Sequence, residues 1–87
     1  MQTIYKYPLS RLDVEDIEMP QGAKPLAVQV QGGQPCLWAL VDPDRPKEVR
    51  RFRTFGTGHP VSEHAGAYLG TFQLMGSLVF HLFEQAA

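Results

Sequence analysis

The sequence predicts an all-β domain, a small antiparallel β-sandwich or barrel of about seven short strands. Two observations carry this. Turn residues recur every few positions: Pro8, Pro20-Gln21-Gly22, Gly32-Gly33, Pro43 to Pro46, Gly56 to Pro60, Gly66 and Gly76. Between them lie short runs rich in Val, Leu, Phe, Tyr and Trp, and no segment sustains a helical period.

The elements follow in order. Thr3–Tyr7 reads as a strand. Ile17-Glu18-Met19 is a short strand that Pro20 ends. Leu26, Val28 and Val30 alternate with Ala27, Gln29 and Gln31, giving one apolar and one polar face. Gly32-Gly33 fits a two-residue type I′ turn, which needs φ > 0 at both positions. The next strand, Cys36–Val41, is apolar at every position. It is expected to be central, with its second face covered by the chain or by another subunit, and Trp38 is expected in the core.

Asp42-Pro43-Asp44-Arg45-Pro46 reads as a longer hairpin loop leading into a strand at Glu48–Phe55. That strand reads as an edge, its arginines pairing with Asp42, Asp44 and Glu48 across the hairpin. A helical turn is expected near 62–65, capped by Ser62 and ended by Gly66. Tyr68–Met75 and Leu78–Phe83 form the last hairpin, across a type II′ turn at Gly76-Ser77. Helical propensity competes in Leu78–Glu84, but β-branched and aromatic residues favour a strand there.

Eighty-seven residues predict a single domain over 1–87, small enough that oligomerisation is a common remedy for a limited core. A formal net charge of −1 argues against an extended nucleic acid as partner, because a polymer needs a basic field. A local basic site remains open. Cys36 is the only cysteine, so no internal disulfide forms. Its neighbours are apolar, and it reads as a buried small hydrophobe suited to a reducing cytoplasm. The N-terminal residues lack a signal-peptide pattern, and no apolar run is long enough for a membrane helix. The expectation is a soluble cytoplasmic protein with no membrane partner.

Several motifs carry a resemblance: Tyr5-Lys6-Tyr7-Pro8-Leu9, Cys36-Leu37-Trp38-Ala39-Leu40-Val41-Asp42-Pro43, Phe55-Gly56-Thr57-Gly58-His59-Pro60 and Tyr68-Leu69-Gly70-Thr71-Phe72-Gln73. The chain resembles, over nearly its whole length, a family of short bacteriophage and prophage proteins catalogued as a domain of unknown function. The resemblance implies a phage-encoded protein acting in the host bacterial cytoplasm. It implies no activity and no site residue.

The densest set of recognition groups is Phe52 to Pro60 with the arginines before it. Arg51, Arg53, Thr57, Gly58 and His59 are the candidate ligand-binding residues. Gly56 and Gly58 leave backbone N–H groups uncovered, and such groups hold anions together with a hydroxyl, a histidine and arginines. The bland alternative is that the two glycines only make the turn. No metal and no cofactor is expected. His59, His64, His81 and Cys36 are the only soft ligands, and their spacing is not that of a zinc site. The sequence has no nucleophile elbow and no phosphate-binding P-loop, so no enzyme is expected.

The expectation is therefore a non-enzymatic binding protein, a homo-oligomer counteracting host defence. It would sequester a phosphorylated nucleotide signal of the cyclic-oligonucleotide or ADP-ribose type, which one or two arginines and an aromatic platform suffice to hold. The alternatives are an inhibitor that blocks a host defence protein complex, in the manner of an anti-CRISPR protein, and a minor virion or assembly component.

Overall fold

A computed structural model describes residues 1–10 and 13–86. Seven strands form two antiparallel sheets: β1 (Thr3–Pro8), β2 (Val14–Pro20), β3 (Lys24–Gln31), β4 (Gln34–Val41), β5 (Lys47–Gly56), β6 (Ala67–Leu74) and β7 (Leu78–Gln85). The first sheet has the order β1-β4-β3 and the second the order β2-β5-β7-β6. The two sheets face each other as a small β-sandwich, with β3 packed on β6 across the layers. Phe52, Met19, Leu37, Leu82 and Val41 are fully buried between them. Each contributes about 1.5–3 kcal/mol by leaving water.

Strand alternation sets the faces. On β5, Phe52 and Thr54 point inward while Arg51, Arg53 and Phe55 lie on the outer face. On β7, Leu82 points inward while Val79, His81, Phe83 and Gln85 lie outward. The described chain measures 39 × 31 × 17 Å. Two sheets about 10 Å apart fill that shortest dimension.

Several expectations hold. Gly32 and Gly33 take φ of 57° and 79°, as a type I′ turn demands, and Gln31 pairs with Gln34 across them. The segment at Leu78–Gln85 is a strand. Strand β4 is central in its sheet and Cys36 is buried at 2 % exposure.

Other expectations are corrected. Asp42–Pro46 is not a hairpin loop: β4 and β5 belong to different sheets, and the segment carries the chain across. Consequently β5 is an inner strand between β2 and β7. Its arginines do not reach Asp42 or Asp44. Arg51 pairs with Asp16 on β2 and Arg50 with Glu84 on β7. Trp38 lies on the outer face of β4, half-buried, because Leu37 and Ala39 take the inward positions. Leu26 is not part of an apolar face: a bulge between Pro25 and Ala27 turns it out to 48 % exposure. The segment 62–65 forms only one hydrogen-bonded turn, Ala65 N–H to Ser62 O at 3.1 Å, with the Ser62 hydroxyl accepting from His64 N–H at 3.0 Å as a cap would, and no helix follows. The last hairpin closes with three residues, Met75-Gly76-Ser77, and positive φ falls on Met75 and Gly76. A Gly-first type II′ turn is therefore not formed.

Candidate functional site

Antiparallel pairing puts side chains of three strands side by side on the outer face of the four-stranded sheet. Arg53 on β5 pairs with Phe83 on β7, which pairs with Tyr68 on β6. One pair further along, Phe55 meets His81, and His81 meets Thr71. Phe83 thereby stands between two rings. Phe55 and Tyr68 each approach it edge-on, with centroids 5.5 Å away. Such pairs add about 0.5–1.5 kcal/mol beyond burial. Tyr68 remains 58 % exposed, so this aromatic surface is open to solvent.

A chain of hydrogen bonds borders the rings. Thr57 donates its hydroxyl to Val79 O at 3.2 Å and meets His81 Nε2 at 2.8 Å. A hydroxyl has one proton, so with that proton on Val79 O the Thr57 oxygen accepts from Nε2 in the second contact. His81 Nδ1 is then the acceptor, from the Thr71 hydroxyl at 2.9 Å. The Thr71 oxygen in turn accepts from the Tyr68 hydroxyl at 2.5 Å. Each group has the partner it needs, and three strands are stitched at their outer face.

The arginines differ in their partners. Arg50 points inward. Its Nε and Nη2 hold both oxygens of Glu84 at 2.5 and 2.7 Å, and Nη1 reaches Ala23 O. The Glu84 carboxylate beside it raises the guanidinium pKa. Arg51 lies outward and holds Asp16 in a two-pronged contact at 2.8 and 3.2 Å. That contact lowers the Asp16 pKa and raises that of Arg51. Arg53 has a neutral partner, Gln85 Oε1 at 2.7 Å. Among the described residues it forms no ion pair.

The five sequence-derived candidates are thus spread out. Arg51, Arg53 and Thr57 share the outer face, but Arg51 and Thr57 are six residues apart on an extended chain, about 20 Å. Thr57 N–H donates to Val79 O and His59 N–H to Gly56 O, so both are engaged within the turn. Gly58 takes φ of 86°, with open space around it. The His59 ring leans the other way. It covers Gly56 on the side that Phe80 faces, so close that a Cβ on Gly56 would meet its Nδ1 at 2.9 Å. A hollow of about 360 Å³ lies there, lined by Gly56, Thr57, His59, Leu78 and Phe80 among others, so Thr57 and His59 share it.

A larger hollow, about 600 Å³, opens at the other end of β5 beside Arg50 and Arg51. Its wall carries Asp16, Glu48 and Glu84 against those two arginines. Three carboxylates against two guanidiniums do not attract an anion. Among the described residues, no three of His, Cys, Asp and Glu gather as metal ligands do, and no helix is long and apolar enough to cross a membrane.

Sequence reasoning missed Tyr68, Thr71, Phe83 and Gln85. Strand order alone brings Tyr68, Phe83 and Gln85 towards Arg53 and Thr71 to His81. The available signal was the alternation Val79, His81, Phe83, Gln85 on one side of β7.

No curated protein and no solved structure matches the chain. A family model does match, and over residues 1–87 the chain belongs to the family described as a domain of unknown function (DUF7352).

Proposed function

We propose that this chain is a phage-encoded, non-enzymatic binding protein that sequesters a phosphorylated nucleotide signal of the host. The ligand would be a cyclic oligonucleotide or an ADP-ribose-type molecule, held on the outer face of the four-stranded sheet. One observation carries the reading. Arg53, whose hydrogen bond is to a neutral glutamine, stands beside Phe83 in an open cluster of three aromatic rings. A base stacks on an exposed ring, and a guanidinium answers a phosphate. Arg51 and Thr57 border the same face on either side of Arg53. Exchanging Gln85 for phosphate keeps the arginine hydrogen-bonded and makes both partners charged.

Calorimetry against cyclic dinucleotides, cyclic trinucleotides and ADP-ribose isomers tests this. Saturable heat is expected from one class. Arg53→Ala and Phe83→Leu should each weaken it at least about tenfold with the fold intact, since one charge-assisted bond or one stacked base is worth roughly 1–3 kcal/mol. His59→Ala should leave affinity within about twofold, because its ring lies on the other side of β5. Loss on His59→Ala with none on Arg53→Ala would move the site to the Gly56–His59 hollow. No heat from any member of the panel would overturn the nucleotide reading and favour a protein-blocking role.

A further inference from the structure

Two open sheets end in four edge strands, β1 and β3 in the first and β2 and β6 in the second, with β3 and β6 packed on each other. Edge strands template association unless something interrupts them. Three of the four are interrupted. β2 carries Glu15, Asp16 and Glu18 and ends in Pro20. β3 has Pro25 and a bulge beside it. β6 has a bulge between Tyr68 and Gly70. β1 is the least interrupted, with Lys6 as its one charge. It runs Thr-Ile-Tyr-Lys-Tyr-Pro in unbroken register with β4, and its proline comes only at the last position. Its apolar residues are exposed, Ile4 at 55 % and Tyr5 at 42 %.

We propose that β1 is a dimerisation edge and that its occupant is β1 of a second copy of this chain. The geometry selects one register. A two-fold axis between antiparallel strands of one continuous sheet stands normal to that sheet. It preserves which face each side chain takes, so it passes beside a residue that meets its own copy. An axis at Lys6 would set two lysines directly opposite each other, a repulsive pairing. An axis at Tyr5 pairs Thr3 through Tyr7 and sets Lys6 opposite Ile4 of the second copy. The single charge of the strand, whose Nζ donates to Gln31 Oε1 of β3 at 2.9 Å, then faces no like charge. Tyr5 meets Tyr5 on the face that β1 shares with Ala39, so two core edges close on each other. The product is a six-stranded sheet, β3-β4-β1-β1-β4-β3. It sets Ile4, Trp38 and Leu40 of both copies in one outer surface and leaves both four-stranded sheets uncovered. This inference stands independently of the nucleotide reading.

Sedimentation at micromolar concentration should give twice the 9.7 kDa chain mass. Ile4→Lys places like charges opposite each other at two symmetric contacts, and should weaken the dimer at least about tenfold. Adding Lys6→Glu turns those contacts into opposite charges and should restore it. Where Ile4→Lys fails to fold by circular dichroism, Tyr5→Cys replaces it: mild oxidation should give a covalent dimer, as Ile4→Cys should not, since Cys36 is buried. A 9.7 kDa species alone, a dimer indifferent to Ile4→Lys, or no cross-link from Tyr5→Cys overturns the proposal.

Discussion

Gly70 of β6 approaches Val28 of β3 so closely that a Cβ on Gly70 would lie 2.6 Å from Val28 Cγ1. This is where the two sheets meet. Val28 is the inward residue of β3 next to the bulge, and it is buried at 6 % exposure. A valine side chain is stiff about χ1, so it does not simply swing away. Gly70→Ala should therefore destabilise the fold by about 1–3 kcal/mol through overpacking. Val28→Ala in the same chain should recover part of that loss, since it removes the clashing methyl. Chemical denaturation of the two single variants and the double variant checks this. Strictly additive losses would show that Gly70 and Val28 do not press on each other.

The Arg50–Glu84 pair joins β5 to β7 on the core side, with side chains only 16 % and 19 % exposed. Glu84→Ala strands a guanidinium with little access to water. The expected cost is about 2–4 kcal/mol, near the range for breaking a buried pair. Replacing both partners, Arg50→Met with Glu84→Leu, should cost less than Glu84→Ala alone, because no charge is left unpaired. Denaturation midpoints decide this. A double variant less stable than Glu84→Ala would show that the pair is favourable in itself.

Arg51 holds Asp16 below the ordinary aspartate pKa, chiefly by its hydrogen bonds. A lowered folded pKa means the unfolded chain takes up that proton more readily. The stability from this carboxylate is complete above the unfolded value, about pH 4, and is lost as pH falls through the folded value. Asp16 is exposed, so the effect is small. Melting curves between about pH 2 and pH 7 should show a shallower acid fall for Asp16→Asn than for the unaltered chain. Identical acid limbs in the two proteins would show that Arg51 and Asp16 are uncoupled.

With the Thr57 proton on Val79 O, His81 takes the tautomer with hydrogen on Nε2; with that proton on Nε2, the roles reverse. Long-range nitrogen–proton NMR of the imidazole at pH 8 should show Nε2 protonated and Nδ1 bare. Thr57→Val removes the acceptor and should relax this preference. Thr71→Val should do so too, by removing the donor to Nδ1. The opposite tautomer in the unaltered chain would reverse the direction of the whole chain from Tyr68 to Val79.

Local chemistry made much of the fold legible in the sequence. The Gly32-Gly33 turn follows from two residues that accept positive φ. The strand at Leu78–Gln85 follows from its β-branched and aromatic content, and the burial of Cys36 from its apolar run. The Met75 turn was not legible, since nothing in a methionine announces φ of 49°. Nor was the bulge that turns Leu26 outward, because a bulge answers to the partner strand. The arginines of β5 and the glycine loop after it stood out by residue type, and their neighbours did not.

What the sequence by itself determined is that about seven strands follow one another and, apart from the longer β2 and the bulge at Leu26, which residues alternate along them. A strand's period of two is a property of its own backbone. What only the tertiary structure decided is which strands lie together. It sent Asp42–Pro46 across the sandwich instead of round a hairpin, and put β5 between β2 and β7. That choice gave Arg51 to Asp16 and Arg50 to Glu84, and set Arg53 beside Phe83 and Tyr68. Those partners are fifteen or more residues apart in the chain. Their meeting depends on how two whole sheets bury one shared core, and no local pattern encodes it.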